Sequence, residues 1–242
     1  MAACALVRAL RRADIDTGAM KPLETGVGAG GPLDALTLWR AAGEVDPLAD
    51  VCPLQFALPA APYVAAQHEG RQLELERVLE AFERLAARHR AVVVEGAGGL
   101  LVPIAEAVDM AALAGRLELP VIIVARASLG TINHTLLTLA VAEQRGLEVA
   151  GVVVSHQAPI SDADQENLAF LRRELGELLL TEIPFMPHSG AAALGEGVRA
   201  EVPENVSAVE GAVGSGEARV AELPFEFPVD SLVARLRETI GE

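Results

Sequence analysis

Positive charge is scarce in this 242-residue chain: 19 lysines and arginines stand against 34 aspartates and glutamates, a formal charge of -15. A field of that sign repels polynucleotides and anionic lipid, so nucleic acid is excluded as a partner. An anionic substrate would need a local basic site or a metal to offset it. Cysteine is nearly absent too. Cys4 and Cys52 have no metal-ligand spacing, and one possible pair is no disulfide framework, which fits a reducing cytoplasm. Although half of the residues are hydrophobic, no run approaches the ~20 uninterrupted apolar residues of a membrane span, and a soluble protein is expected. The opening MAACALVRALRR sets apolar residues before the arginines, the reverse of a signal peptide; its Arg-rich amphipathic character is all it shares with a transit peptide. Internal repeats are lacking, and so is any sign of a second folded domain.

What is present alternates. Apolar spacing predicts a helix over Ala2 to Leu10, a short strand over Ile15 to Met20, and, after the Gly-rich VGAGGP, a helix over Leu33 to Ala42. Prolines 47, 53, 59 and 62 forbid long regular structure between Asp46 and Pro62. A long amphipathic helix, Leu73 to Arg90, should feed a strand over Ala91 to Glu95. Asp109 should cap a helix through Leu117. Then follow a strand (Pro120 to Ala125), a helix (Ile132 to Arg145), a strand (Val149 to Ser155), a helix capped by Ser161 or Asp162 that runs to about Leu175, and a last strand (Leu178 to Ile183). Strands rich in Val and Ile alternating with helices imply a parallel sheet buried on both faces, with ligands at the C-terminal ends of its strands. This α/β domain is expected over 1–190. The rest, 191–242, is a loosely patterned tail rich in Gly, Ala and Glu, with a helix from Leu232 to Ile240.

Four groups fall at the predicted strand ends or just beyond. In VVVEGAGGLLVPI a run of β-branched residues ends in Glu95 and then Gly96, Gly98 and Gly99. Glycines expose backbone amides that can cradle phosphate, and a carboxylate beside them is a hard ligand for Mg²⁺. The same residues also suit a plain strand-end turn with a solvated Glu. Lys21, directed by Pro22, could hold a transferring phosphoryl group, or could be an ordinary surface lysine. Asp34 is a metal ligand or simply a helix cap. In SLGTINHTLLT, Gly130 and Thr131 open a helix whose free amides would suit a carboxylate or phosphate, whereas His134 reads as hydrogen-bonded structure.

Together MKPLETG, the Asp34-Ala35-Leu36 element, LPAAPYVAAQHEGRQLE, VVVEGAGGLLVP and PVIIVARASLGTINHTLLT, with GLEVAGVVVS after it, resemble dethiobiotin synthetase in order and spacing, from about Ala2 to Pro187. A lone EGAGG would also suit cobyrinate synthases and partitioning ATPases; KPLETG combined with LGTINHTLLT is more specific. The resemblance implies a P-loop NTPase-like α/β fold, a mostly parallel sheet with helices on both faces. It implies a cytoplasmic homodimer that uses ATP and Mg²⁺ to convert 7,8-diaminononanoate and CO₂ (or bicarbonate) to dethiobiotin in biotin biosynthesis. Carried over residue by residue, Asp34 and Glu95 would hold Mg²⁺ and lie at the nucleotide, and Lys21 would stabilise charge moving between carbamate and γ-phosphate. Thr25 would contact substrate, and Gly96, Ala97 and Gly98 would line nucleotide and substrate. Gly130, Thr131 and Asn133 would take the substrate's carboxylate tail near the dimer interface. Ser155, His156, Pro184, Phe185 and Met186 would flank the base.

Two departures qualify this expectation. The family's first strand and its phosphate loop, GxxxxGKT, are missing from the sequence, which opens at the helix expected to follow them. A mistaken start upstream of which the loop is encoded is the preferred explanation; a truly short, degenerate member is the other, and a dimerising α/β module without turnover would be its consequence. Removing a central strand should leave unpaired sheet edges. Second, Ser155 stands where many members have an asparagine at the adenine edge, which loosens the expected nucleotide preference.

Overall fold

The computed structural model describes residues 1–185 and 232–233. Met186 and nearly all of the expected tail and its final helix lie outside the described residues.

In chain order the elements are α1 (Ala2–Arg12), β1 (Thr17–Met20), β2 (Leu23–Thr25), α2 (Leu33–Ala41), α3 (Leu48–Val51), β3 (Leu54–Phe56), α4 (Pro62–His68), α5 (Leu75–Ala86), β4 (Ala91–Val94), β5 (Pro103–Ala105), β6 (Val108–Asp109), α6 (Met110–Leu117), β7 (Val121–Arg126), α7 (Thr131–Gln144), β8 (Val149–Ser155), α8 (Asp162–Leu175) and β9 (Leu179–Ile183). Helices and parallel strands alternate as the α/β reading requires. Asp109 and Ser161 are the caps of α6 and α8, each accepting a backbone N–H from the first turn. The helix expected from Leu73 to Arg90 is shorter, and beyond its C-terminal end Arg88 and His89 reach Asp46, Asp50 and Asp16. The proline-rich stretch is not bare loop: α3 and β3 fit between its prolines, and β3 pairs in parallel with β2.

The parallel strands of the expected α/β fold are present, and so are the unpaired edges foreseen among them. Among the described residues the main strands form two separate parallel sheets, β1-β4 and β7-β8-β9, in which β4 and β7 each keep an unpaired edge. The amphipathic helix α1 spans the division. One of its faces, Ala5, Leu6 and Leu10, packs with Ala150, Val153 and Ile183, joined by Val93 and Ile122. The next face, Cys4 and Val7, packs with Ala19 and with Leu38, Ala41 and Ala42 of α2. Each large apolar side chain buried this way stabilises the fold by roughly 1.5–3 kcal/mol. The largest cluster lies beneath β2, β3, α5 and α6, where Met20, Leu23, Leu54, Phe56, Leu85, Ile104 and Leu113 are fully buried.

Register decides what meets at the strand ends. Met20 lies opposite Val94, so the next residues, Lys21 and Glu95, emerge side by side, and the Glu95 amide donates to the Met20 carbonyl at 2.8 Å.

Candidate active site

Lys21 is buried, not a surface lysine. Its ammonium donates to Glu95 Oε1 at 2.7 Å and to the Gly96 carbonyl at 3.4 Å, and stands 3.4 Å from Asp34 Oδ2. Burial pulls the Lys21 pKa down, but the charge and hydrogen bond of Glu95, and then Asp34, outweigh it, so the pKa lies above the ordinary lysine value. Three of the sequence candidates thus converge on one point although they lie 13 and 61 residues apart along the chain. Asp34 is no cap: its own amide is capped, by Glu24.

Beyond Glu95 the chain turns through Gly96, Ala97 and Gly98. Ala97 leans on the core, while Gly96, Gly98 and Gly99 are exposed. Gly98 has φ of +74°, and a Cβ there would stand 2.7 Å from Val102 Cγ2, so glycine is required for both reasons. On the other side Thr25 is half-buried at the end of β2, opposite Phe56.

The start of α7 differs from expectation. Gly130 is left-handed, as the turn into the helix needs, and Asn133 is exposed. Thr131, however, is buried, its hydroxyl has no partner among the described residues, and its amide already donates to the Ser128 carbonyl. Helix-start amides open to a ligand are therefore those after Thr131. His134 is exposed, not internal structure.

Ser155, His156, Pro184 and Phe185 come together in a cleft of about 330 Å³ with Met1, Val124, Arg126 and Gln157. Its walls are the ends of β7, β8 and β9 and the first residues of α1. Ser155 Oγ accepts from Gln157 Nε2 at 3.0 Å, and His156 Nε2 lies 3.1 Å from Glu182 Oε2. Arg172 binds the same Glu182 carboxylate through two nitrogens, and hydrogen bonding from Arg172 and His156 holds the Glu182 pKa below the usual value against the cost of burial.

Sequence reasoning passed over three residues here. Arg126 is the charged residue ending the otherwise apolar VIIVAR, a visible signal for a cation at a strand end. Gln157 and Glu24 had no such signal, since each matters through a contact made in space. Both cysteines are buried free thiols: burial pushes the Cys52 thiol up to about 12, and Cys4 is raised likewise. Among the described residues no three His, Cys, Asp or Glu side chains gather into a metal site, so Asp34 and Glu95 could supply only part of a coordination sphere.

Comparison with known proteins shows what the chain is similar to. A family model described as an AAA domain matches residues 1–193. The ATP-dependent dethiobiotin synthetase BioD of Anaeromyxobacter dehalogenans strain 2CP-C is 49% identical over 203 residues, covering 83% of this chain and 91% of the relative. The protein of the same name from strain 2CP-1 is 54% identical over 160 residues, 66% of this chain and 72% of the relative. That of Bacillus licheniformis is 38% identical over 185 residues, 75% and 78% of the two chains.

Proposed function

The chain belongs to the ATP-dependent dethiobiotin synthetases, ligases that form C–N bonds, and from that premise we propose that it joins 7,8-diaminononanoate to CO₂ with cleavage of ATP to ADP and phosphate, making dethiobiotin for biotin biosynthesis. One amine of the diamine adds to CO₂ as a carbamate. The carbamate oxygen attacks the γ-phosphorus and ADP leaves. The neighbouring amine then attacks the carbonyl carbon, phosphate departs, and the ureido ring closes.

The observation that carries this reading is Lys21 held between Glu95 and Asp34 at the ends of adjacent strands. Phosphoryl transfer asks a protein for positioning and charge stabilisation, not for a nucleophile. A buried, protonated lysine is a point charge that can turn from its carboxylates to the anionic oxygens passing between carbamate and γ-phosphate. In a chain of net charge -15 that local cation is essential.

The donor set fits Mg²⁺: two hard carboxylates at one spot, with the remaining positions left to water and phosphate oxygens, is how this ion is usually held. Asp34 and Glu95 would hold it, and when bound it supplies neutralisation of phosphate charge. The amides of Gly96 to Gly98 follow Glu95 directly in the chain and would line the nucleotide and substrate, and Thr25 would contact substrate. Arg126 brings a second cation to the cleft in which Ser155, His156, Pro184 and Phe185, followed in sequence by Met186, would take the base. Gly130 and Asn133, with the open amides that follow Thr131, would meet the carboxylate tail of the diamine near a homodimer interface. Leu129 and Leu137 are exposed beside and on α7, apolar surface that such a partner would cover.

The test is ADP release by the 242-residue chain in MgATP and bicarbonate, with and without diaminononanoate. Release that depends on the diamine is expected. Release indifferent to it would move the chain toward the cobyrinate synthase or partitioning type, and binding of the diamine with no ADP formed would leave a module without turnover.

A further inference from the structure

The first turn of α2 is capped from outside its own helix. Its N-cap residue is Pro32, which has no side-chain acceptor, and the first amides of a helix have no partner within it. The Glu24 carboxylate supplies that partner from β2: Oε1 accepts from the Asp34 amide at 3.1 Å and Oε2 from the Ala35 amide at 2.9 Å. Glu24 is only 8% exposed, and its backbone is registered with Gln55 in the β2-β3 ladder. The helix start is therefore tied to the sheet through both oxygens of one buried carboxylate.

Asp34 depends on that tie more than its counterpart does. The Asp34 side chain is 65% exposed against 30% for Glu95. Glu95 leaves directly from β4, with its amide bonded to Met20. Asp34 sits at the second position of a helix whose own sequence offers no cap. Resting on the family reading above, we propose that Glu24 is a positioning residue of the phosphoryl-transfer site: it touches no reacting atom, but fixes the first turn of α2 so that the Asp34 carboxylate faces Lys21 and Glu95 and is available to a divalent cation.

The chemistry of the contact makes the idea separable from simple stabilisation. A glutamine in place of Glu24 keeps one acceptor but turns an amide N–H toward the second backbone N–H, so it cannot serve both. An aspartate at position 32 would cap the same turn from within the helix. Pro32→Asp added to Glu24→Ala should therefore restore what Glu24→Ala removes.

The experiment uses the whole chain and two readings, amide hydrogen exchange and binding of Mn²⁺ followed by loss of the free-ion EPR signal. E24A is expected to speed exchange of the Asp34 and Ala35 amides, and to weaken Mn²⁺ binding by about 10- to 100-fold, the usual effect of removing a residue that orients a ligand. E24Q should behave alike, and E24A/P32D should recover both. Unchanged exchange at those two amides, unchanged Mn²⁺ affinity despite faster exchange, or no recovery in the double variant would overturn the proposal. D34N distinguishes the two levels: Mn²⁺ binding indifferent to D34N sinks the cation reading and the proposal with it, whereas binding that responds to D34N but not to E24A sinks the proposal alone. If E24A does not fold, E24D, one methylene too short to reach both amides, gives the same readings.

Discussion

The sheet of β1 and β4 and the sheet of β7, β8 and β9 hold their sites by different means. In the first, both strands have only four residues, and charge ties the surrounding loops to them. His89 bridges Asp16 and Asp46 at 3.0 and 2.9 Å; Arg88 joins Asp46 to Asp50, and Arg84 binds Asp50 as well. In the second, strands of six, seven and five residues make a long parallel ladder, with the Arg172-Glu182-His156 group at its rim. Where the ladder is short, polar contacts must position the chemistry, and the Lys21 site is built of such contacts throughout. Where it is long, backbone geometry is enough, and the cleft at its end is shaped mainly by strand termini.

If that division holds, the largest effect should follow from removing the central charge of the first site. K21A is expected to lower diamine-dependent ADP release by about 10²- to 10³-fold, the range for deleting one charge-stabilising donor, while S155A in the cleft changes it only a few-fold; steady-state rates of the two decide. Comparable losses in both would erase the contrast.

Packing offers the next test. A Cβ at Gly18 would stand 2.5 Å from His89 Cδ2, and one at Gly151 would run into the Leu180 side chain. Overpacking of this kind costs roughly 1–3 kcal/mol, and urea midpoints should fall for both G18A and G151A. The fall should be larger for G18A, because displacing His89 also breaks its bonds to Asp16 and Asp46, whereas Leu180 is a flexible apolar neighbour.

The two regions should also part company along the pH axis. Burial lowers the His89 pKa, but hydrogen bonds to Asp16 and Asp46 and their charges win, so the folded value is raised above 6.5. The stability it contributes is complete below that value and is lost as pH rises through the raised one. Glu182 is depressed below 4.5 by Arg172, against burial. Its contribution is complete above that value and is lost as pH falls through the depressed one. Thermal midpoints against pH should thus lose part of their alkaline fall in H89Q and part of their acid fall in E182Q. Asp50, depressed by Arg84 and Arg88 against burial, keeps some acid sensitivity in the first region.

The smallest expected change concerns the nucleotide. S155N adds an amide at the edge of the cleft, and should raise the preference for ATP over other nucleoside triphosphates by up to about tenfold, the worth of one hydrogen bond, as read by competition.

Much of this was legible in advance because it is local. Helix periods, the Asp109 and Ser161 caps and the Val-rich strands announce themselves within a few residues, and KPLETG with EGAGG marked Lys21 and Glu95. Thr131 opens α7 as its place after Gly130 suggested, but nothing local says that it turns its side chain inward and spends its amide on a turn. Glu24 was silent for the same reason: nothing in its neighbourhood says that it will cap a helix ten residues on.

By itself the sequence determined the alternation of helix and strand, the acidic field that makes a local cation necessary, and which residue types stand at the strand ends, because all of these depend on composition and short-range spacing. Tertiary structure alone decided that Lys21 lies buried between Glu95 and Asp34, that Glu24 holds the latter's helix, and that α1 packs across the gap between the two sheets. Each of those rests on register and packing between segments far apart in the chain, and no local preference encodes a distance between them.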